Sequence, residues 1–251
     1  MKRPIIIHFH IFKNAGTSVD RVLEQNFNDG WAKIESPDSH PLDLETLLDF
    51  VRANPHINAV STHTAVVKAP ILNDLKIIPI CFVRHPIDRI RSAFDFERAQ
   101  SLLTPSVIQA KKGTFRDYMD WYLASPPAWQ VSNFHAYHFK DFLSPPAPTA
   151  QALEQRTLQA VHSMPWLGLV EKFDASMERM AHEIHQFFPD YKTLQANTNR
   201  TTNVGTELEE NLEAFRLRIG SDTYQRLRQL NAIDFQIYEI VRQRYSTSSL
   251  G

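Results

Sequence analysis

The chain has 251 residues, of which 43% are hydrophobic, so it is long enough for one sizeable domain with a packed core or for two small ones. Its formal net charge of −1 excludes a broad basic face of the kind that binds nucleic acid, so any anion site must be local. The single cysteine, Cys81, excludes an internal disulfide and fits a reducing compartment. It lies in an apolar run, where we interpret it as a small buried side chain.

The N-terminal apolar run, residues 4–11, predicts a strand rather than a signal peptide. His8 and His10 interrupt the run, Lys13 ends it, and no small-residue cleavage site follows. No other stretch approaches the ~20 apolar residues that a membrane span needs. We therefore expect a cytoplasmic protein without a membrane span.

Predicted helices and strands alternate along the rest of the chain. The patterns predict further strands at 57–62, 77–83 and 166–170, and helices at 16–27, 43–53, 87–101, 114–125, 150–162, 174–188, 207–218 and 222–244. This order predicts an α/β fold with a parallel sheet and right-handed crossovers. Pro79 counts against the strand at 77–83, because proline cannot donate to a ladder. We expect a single domain over residues 1–245 and a flexible tail over 246–251, with "SPPAPT" (144–149) joining two subregions.

The segment "KNAGTS", residues 13–18, lies where the first strand ends and the first helix begins. A glycine at such a turn lets the backbone approach a ligand, and the helix N-terminus offers unpaired N–H groups with a partial positive charge. Lys13 adds a mobile charge, and Thr17 and Ser18 add hydroxyl donors. The segment predicts a phosphate-binding loop, although it is not a Walker A loop, because its lysine precedes the glycine.

A second segment, "FVRHPIDRIRSAF" (82–94), places Arg84 at the carboxyl end of another buried strand. Ser92 follows two turns into the next predicted helix. Because ligands of open parallel sheets bind outside the carboxyl ends of the strands, Lys13 and Arg84 are expected to hold two phosphate groups of one nucleotide.

These two segments resemble those of a known family. "HIFKNAGTS" (10–18) resembles the H-I-P-K-T-[AG]-[GS]-T-S segment of sulfotransferases of the carbohydrate 2-O-sulfotransferase type, which depend on 3′-phosphoadenosine 5′-phosphosulfate (PAPS). "VRHPIDRIRSAF" (83–94) resembles their R-D-P-x-x-R-x-x-S-x-Y segment. Looser similarity to bacterial members continues through "SNFHAY" (132–137), "WLGLVEKFDASMERM" (166–180) and "AIDFQIYEIVRQRY" (232–245), so the resemblance covers most of the chain.

The resemblance implies a P-loop nucleotide-kinase-like parallel sheet flanked by helices, with PAPS as the sulfuryl donor and no metal. It implies that Arg84 and Ser92 hold the 3′-phosphate. It also makes Arg200, in the late polar loop "ANTNRTTN" (196–203), a candidate contact of a loop that closes over the nucleotide, with an ordinary surface loop as the alternative. The residues assigned by resemblance to the 5′-phosphosulfate are Lys13, Asn14, Ala15, Gly16, Thr17 and Ser18.

Four residues depart from the family pattern. Phe12 stands for the usual proline, Asn14 for threonine, His85 for aspartate and Phe94 for tyrosine. None of these changes removes a group that we assign to a phosphate. The missing hydroxyl at Asn14 weakens one side of the loop, and the four changes together leave cofactor affinity and activity open.

Sulfuryl transfer needs a cation at the leaving oxygen and a base for the acceptor hydroxyl. Lys13 is predicted to be the cation. His63, in "VSTHTAV", is predicted to be the base, because it follows a strand and the related 2-O-sulfotransferases carry a histidine base in this interval. The alternative is a loop histidine without a role, and His10 and His135 are the next candidates.

Two other groups of histidines carry weaker signals. His8 and His10 share a strand face but lack clear carboxylate or cysteine companions, so a metal site is not predicted. "HEIH" (182–185) lacks the spacing of H-E-x-x-H and is interpreted as a solvated helix face.

The acceptor is predicted to be a saccharide or another small molecule with a hydroxyl. "WQVSNFHAYHF" (129–139) offers aromatic faces together with Asn133 and His135, which suits a sugar, although a loop packed by its own aromatic side chains explains it equally well. Two other functions stay open: a kinase-like phosphotransferase, and a non-catalytic binding protein that retains the fold. The sequence indicates no oligomeric state.

Overall fold

The structure, a computed structural model, describes residues 2–37, 40–125, 128–143, 150–193 and 204–246, of which 150–152 and 204–206 are described by their backbone alone. Three features named above lie outside these residues: the "SPPAPT" segment, Arg200 with its loop, and the tail beyond Ser246.

A parallel sheet of five strands lies at the centre of the part of the chain that the structure describes. The strands are β1 Arg3–Phe9, β2 Trp31–Lys33, β3 Ala59–Thr62, β4 Leu75–Val83 and β5 Leu167–Leu169. Their order is β2-β3-β1-β4-β5, so β1 is central and its neighbours are β3 and β4. The prediction of an α/β fold with a parallel sheet flanked by helices is confirmed.

The strand missed by the sequence patterns is β2, whose three residues are too short for a periodic signal. Pro79 lies within β4, opposite Ile7 of β1. Arg3 donates its N–H to the Asp74 carbonyl, and the alternation of a parallel ladder then directs the nitrogen of Pro79 away from β1. On that side β5 pairs with β4 only from Cys81 onward, so the missing N–H costs no ladder hydrogen bond.

Helices cover both faces of the sheet and extend beyond its carboxyl edge. They are α1 Gly16–Phe27, α2 Leu44–Ala53, α3 Pro86–Ala99, α4 Pro105–Lys112, α5 Phe115–Ala124, α6 Phe134–Phe139, α7 Ala150–His162, α8 Phe173–His185, α9 Val204–Ile219, α10 Ser221–Leu230 and α11 Ala232–Arg244. The predicted helix at 222–244 is two helices, because the Asn231 side chain donates to the Leu227 and Val131 carbonyls and ends α10. Helices α4 and α6 were not predicted, because each is short.

Apolar residues of the sheet pack on both of its faces, as expected for a parallel sheet covered by helices. Ile5 and Ile7 point into a core formed with α2, α6, α7 and α11. Ile6 points to the opposite core, formed with α1 and α8. A third core lies under α3, α5, α9 and α10. Cys81 is buried, as the sequence indicates.

None of the described helices has both the length and the apolar composition that crossing a bilayer requires.

Candidate functional site

The loop between β1 and α1 turns sharply at two residues. Lys13 and Ala15 have φ angles of 63° and 61°, in the left-handed region that non-glycine residues rarely adopt. The turn lets the Asn14 N–H donate to Ile11 and starts α1 at Gly16. Because Gly16 and Thr17 are the first residues of α1, their N–H groups have no acceptor within the helix. Such N–H groups, with the positive end of the helix dipole, favour an anion.

Gly16 is needed for a close contact with His10. A Cβ atom on residue 16 would lie 1.9 Å from His10 Cδ2, so the imidazole ring rests directly against the glycine backbone. Any larger side chain would displace the ring or the start of α1. The missing side chain at residue 16 therefore leaves room for the His10 ring beside the N-terminus of α1.

Lys13 and Arg84 meet at the carboxyl ends of β1 and β4. Arg84 Nη1 donates to the Lys13 carbonyl oxygen at 3.1 Å, and Lys13 Nζ lies 4.3 Å from the centre of the Phe96 ring on α3. Partial burial, and then repulsion from the Arg84 guanidinium, lower the pKa of Lys13. Two cations that repel each other favour a bound anion nearby.

Arg84 is held in place by α3. Its side chain pairs with Asp88 at 2.6 Å, and Asp88 also pairs with Arg91 at 2.7 Å. Burial raises the pKa of Asp88, but Arg84 and Arg91 outweigh burial and hold that pKa below its ordinary value. Ser92 is half-buried, one turn after Asp88 and one turn before Phe96, so it shares a helix face with the Phe96 ring that Lys13 contacts. The structure thus brings Arg84 and Ser92 to the same side of α3 as the β1–α1 loop.

His63 lies at the end of β3, beside the same loop. Its ring packs against that of His10 with 3.8 Å between ring centres and 32° between ring planes, and its Nδ1 is 2.6 Å from Glu35 Oε1. The His63 side chain is 45% exposed, so it is accessible to a bound molecule. The His10 ring contacts both His63 and Gly16, so the predicted base is close to the predicted phosphate loop.

Asp20 of α1 supplies a carboxylate partner for His8 and His10 that their sequence neighbourhood does not show. His8 Nδ1 lies 2.8 Å from Asp20 Oδ1, His10 Nδ1 lies 3.2 Å from Oδ2, and the Lys33 ammonium lies 3.1 Å from Oδ2. Burial lowers the pKa of His8 to about 4, whereas hydrogen bonds from His10 and His8 outweigh the burial of Asp20 and lower its pKa. Potential metal-ligand atoms of His8, His10 and Asp20 lie within 4.8 Å of one another. Because Lys33 shares this carboxylate, we interpret the group as a network of hydrogen bonds and one lysine–aspartate ion pair that orients His10.

His135 lies behind the phosphate loop rather than on an open surface. Its side chain is fully buried, with Nδ1 3.0 Å from Asp234 Oδ2 and Nε2 3.1 Å from Asn14 Oδ1. Asn14 also donates to the Phe12 carbonyl. A direct contact between His135 and a saccharide does not fit this burial. The ring instead ties Asn14 to α11.

Asn133 also forms hydrogen bonds within the fold, at the start of α11. Its Oδ1 accepts from the N–H groups of Ile233 and Asp234, and its own N–H donates to Asn231. It therefore completes the start of α11, and of the aromatic residues around it Phe134 and Phe139 are buried, whereas Trp129 is exposed.

The departures from the family pattern have structural partners. Phe12 packs against Phe96 with 5.5 Å between ring centres. His85 is the N-cap of α3 and accepts from the Asp88 N–H, as an aspartate would; burial lowers its pKa to about 4, so it is neutral near pH 7. Phe94 lies in the core with Phe115 and Tyr118. These side chains therefore pack within the fold around the candidate site.

A cavity larger than the cleft beside these residues lies elsewhere among the described residues. It has a volume of about 590 Å³ and borders the amino-terminal half of β4, with Lys76, Trp166, Arg179 and Tyr245 among its walls. His182 of the "HEIH" segment also borders it, whereas His185 binds the Tyr191 carbonyl. A small cleft lined by His10 and His63 adjoins the candidate site.

Glu35 and Asp20 are the site residues that sequence patterns missed. Asp20 gave a weak signal, since it is an acidic residue between the apolar positions Val19 and Val22 of α1. Glu35 gave none, because it lies in an irregular segment after β2.

The fold and the site together define an α/β protein that gathers cationic and imidazole side chains around a helix N-terminus at the carboxyl edge of its sheet. Residues 2–240 match the model of the Sulfotransferase family. The chain is also 35% identical, over 251 residues, to an uncharacterized protein of Archaeoglobus fulgidus, with 98% of each chain covered. The chain belongs to the sulfotransferase family.

Proposed function

We propose that this sulfotransferase uses PAPS as its donor and transfers the sulfuryl group to a hydroxyl of a saccharide, as the resemblance to the carbohydrate 2-O-sulfotransferase type suggests. One observation supports the donor most strongly. Lys13 and Arg84 repel each other at a helix N-terminus, next to a glycine and two hydroxyl side chains. That arrangement is stabilised by a ligand with closely spaced phosphate groups.

The residues of the β1–α1 loop fit the 5′ end of the donor. We assign the N–H groups of Gly16 and Thr17, the hydroxyls of Thr17 and Ser18, and the Lys13 ammonium to the 5′-phosphosulfate. Asn14 and Ala15 shape the loop, Asn14 through its contacts with His135 and Phe12 and Ala15 through its left-handed backbone.

Residues of α3 and of the segment just before it fit the 3′-phosphate of the donor. Arg84 and Ser92 are assigned to the 3′-phosphate, and Arg200 remains a proposed further contact. The ion pair with Asp88 holds Arg84 in one position before a ligand arrives.

The chain supplies two functions to the reaction. When bound, the donor provides a sulfuryl group whose bond to a phosphate oxygen breaks as the acceptor oxygen attacks in line. His63 takes the proton of the acceptor hydroxyl. Lys13 stabilises the negative charge on the departing phosphate oxygen. Both side chains lie at the carboxyl edge, on adjacent strand ends, which suits an attack from the side of β3.

Two observations bear on the alternative functions. A kinase-like phosphotransferase needs a lysine after the glycine of the loop, and this chain has Thr17 in that place. A non-catalytic binding protein gains little support from the four departures, since each has a structural partner and none removes a cation. The sulfotransferase proposal accounts for more of the site.

The test is thermal unfolding with 3′-phosphoadenosine 5′-phosphate, the product nucleotide, against AMP and ATP. A ligand at one hundred times its dissociation constant stabilises a protein by about 2.7 kcal/mol. For a chain of this size the melting temperature should rise by roughly 5–10 °C. AMP should raise it less, because it lacks the 3′-phosphate that Arg84 and Ser92 are proposed to bind.

No rise with the 3′-phosphorylated nucleotide would contradict the proposed donor, and a larger rise with ATP would favour the kinase-like alternative. Transfer of labelled sulfate from PAPS to a panel of saccharides then tests the acceptor. Nucleotide binding without transfer to any hydroxyl in that panel would favour the binding protein.

A further inference from the structure

Glu35 is held firmly although it lies at the surface. Both of its carboxylate oxygens accept from the His63 N–H, at 3.0 and 2.9 Å, and Oε2 also accepts from the Thr64 hydroxyl at 3.1 Å. The neighbouring Ile34 N–H donates to the Ser61 carbonyl, and the Ser36 N–H to Thr64 Oγ1. The segment that carries Glu35 therefore runs along the end of β3, and the carboxylate is fixed before it meets the ring.

The same carboxylate controls the ring of His63. Its Oε1 lies 2.6 Å from His63 Nδ1. An ionised carboxylate can only accept, so Nδ1 must carry a proton and donate it. In the neutral ring the lone pair is then on Nε2, which is the nitrogen that a base needs free.

His10 packs against one face of the His63 ring. The two rings lie 3.8 Å apart between their centres, and His10 is itself held by Asp20 and Gly16. One carboxylate thus sets the proton position of His63, and the ring of His10, tilted by 32° against it, restricts its rotation. Exposed ion pairs contribute little to folding stability, so the pair of Glu35 with His63 is better explained by orientation than by stability.

We propose that Glu35 is a positioning residue, which holds His63 with Nδ1 protonated and Nε2 free to accept the proton of the acceptor hydroxyl. This inference rests on the proposed function, in which His63 is the base. In the step, the O–H bond of the acceptor breaks and its proton goes to Nε2. The electron pair of that bond attacks sulfur, and the pair of the broken S–O bond stays on the departing phosphate oxygen.

The experiment combines spectroscopy with kinetics on the full chain. Long-range ¹H–¹⁵N spectra of the imidazole rings identify which nitrogen carries the proton, and His63→Gln assigns the His63 signals. In Glu35→Gln the amide NH₂ can donate to Nδ1, so the protonated nitrogen of His63 should change to Nε2. Glu45→Gln is the matched control, since Glu45 is also an exposed carboxylate in an ion pair, with Arg52 at 2.7 Å.

The kinetic expectation follows from the same change. A general base contributes ~10²–10⁴-fold to rate. Glu35→Gln should therefore lower kcat by at least about 10-fold, with KM and nucleotide affinity nearly unchanged. Glu35→Asp, which keeps the acceptor oxygens, should recover part of the loss. In a His63→Gln background, Glu35→Gln should cost nothing further, because the two residues act as a unit.

The outcomes distinguish a failure of the role proposed for Glu35 from a failure of His63 as the base. An unchanged protonated nitrogen in Glu35→Gln would overturn the role of Glu35, and so would an equal loss of kcat with and without His63. Near-normal kcat in His63→Gln would instead contradict His63 as the base, while the spectra would still decide whether Glu35 holds the ring.

Discussion

Two regions of this protein each combine a lysine, an arginine and aromatic rings, but only one of them is built like an anion site. At the carboxyl edge of the sheet, Lys13 and Arg84 flank the N-terminus of α1. In the 590 Å³ cavity beside β4, Lys76 and Arg179 line a larger space. The larger space lies at the wrong end of the strands for a parallel α/β protein.

The difference lies in what surrounds the cations. Arg179 lies 5.7 Å from the centre of the Tyr245 ring and shares the cavity with Glu183, so a carboxylate is already at hand. At the carboxyl edge Arg84 also has a carboxylate partner, Asp88, but Lys13 has the unpaired N–H groups of α1 beside it, and the charged group that acts on its pKa is another cation. Charge and backbone donors, rather than volume, therefore identify the site.

The largest effect is expected from Lys13→Ala. Removing one group that stabilises a developing oxyanion typically costs ~10²–10³-fold in kcat, and Lys13 is proposed to have that role. Lys76→Ala is the matched control from the cavity and should leave kcat within about twofold, since exposed surface substitutions rarely matter. Steady-state sulfuryl transfer measures both. Equal losses in the two variants would show that Lys13 has no special place in the reaction.

The next effect concerns nucleotide selectivity. A charge-assisted hydrogen bond contributes roughly 1.5–3 kcal/mol, so Arg84→Ala should weaken 3′-phosphoadenosine 5′-phosphate about 10- to 150-fold and AMP much less. Arg91→Ala also removes a partner of Asp88, and Arg179→Ala removes the cavity arginine. Calorimetric titration should find both controls close to the unmodified protein. A loss of the same size for AMP would assign Arg84 to the fold rather than to the 3′-phosphate.

A smaller effect is expected from Gly16→Ala. The added Cβ would overlap the His10 ring, and overpacking of this kind costs about 1–3 kcal/mol of stability. Nucleotide binding should weaken too, because the start of α1 must move. Gly220→Ala is the control: Gly220 has a φ of 82° and open space around it, so alanine should lower stability through backbone strain without affecting nucleotide binding. Chemical denaturation and calorimetry separate the two.

A second substitution sharpens this prediction. In Gly16→Ala combined with His10→Ala the overlap is gone, so nucleotide binding should recover relative to Gly16→Ala alone. Continued loss would mean that residue 16 must be glycine for the anion itself.

Much of this protein could be predicted from local patterns. Apolar runs, helix-start signals and the order of elements were enough for the parallel α/β fold, because burial on both faces of a strand and amphipathic spacing are properties of neighbouring residues. The 13–18 segment and Arg84 were recognisable for the same reason, since a strand end, a glycine and a helix start lie within a few residues.

The tertiary structure alone decided how those pieces cooperate. Glu35 and His63 are 28 positions apart, and His135 and Asn14 are 121 apart, so no local pattern could pair them. His135 was a candidate saccharide contact, but packing of α6 against α11 buries it, and it supports Asn14 instead. Local sequence determines what each segment can form; which polar groups become partners depends on how the packed layers bring distant segments together.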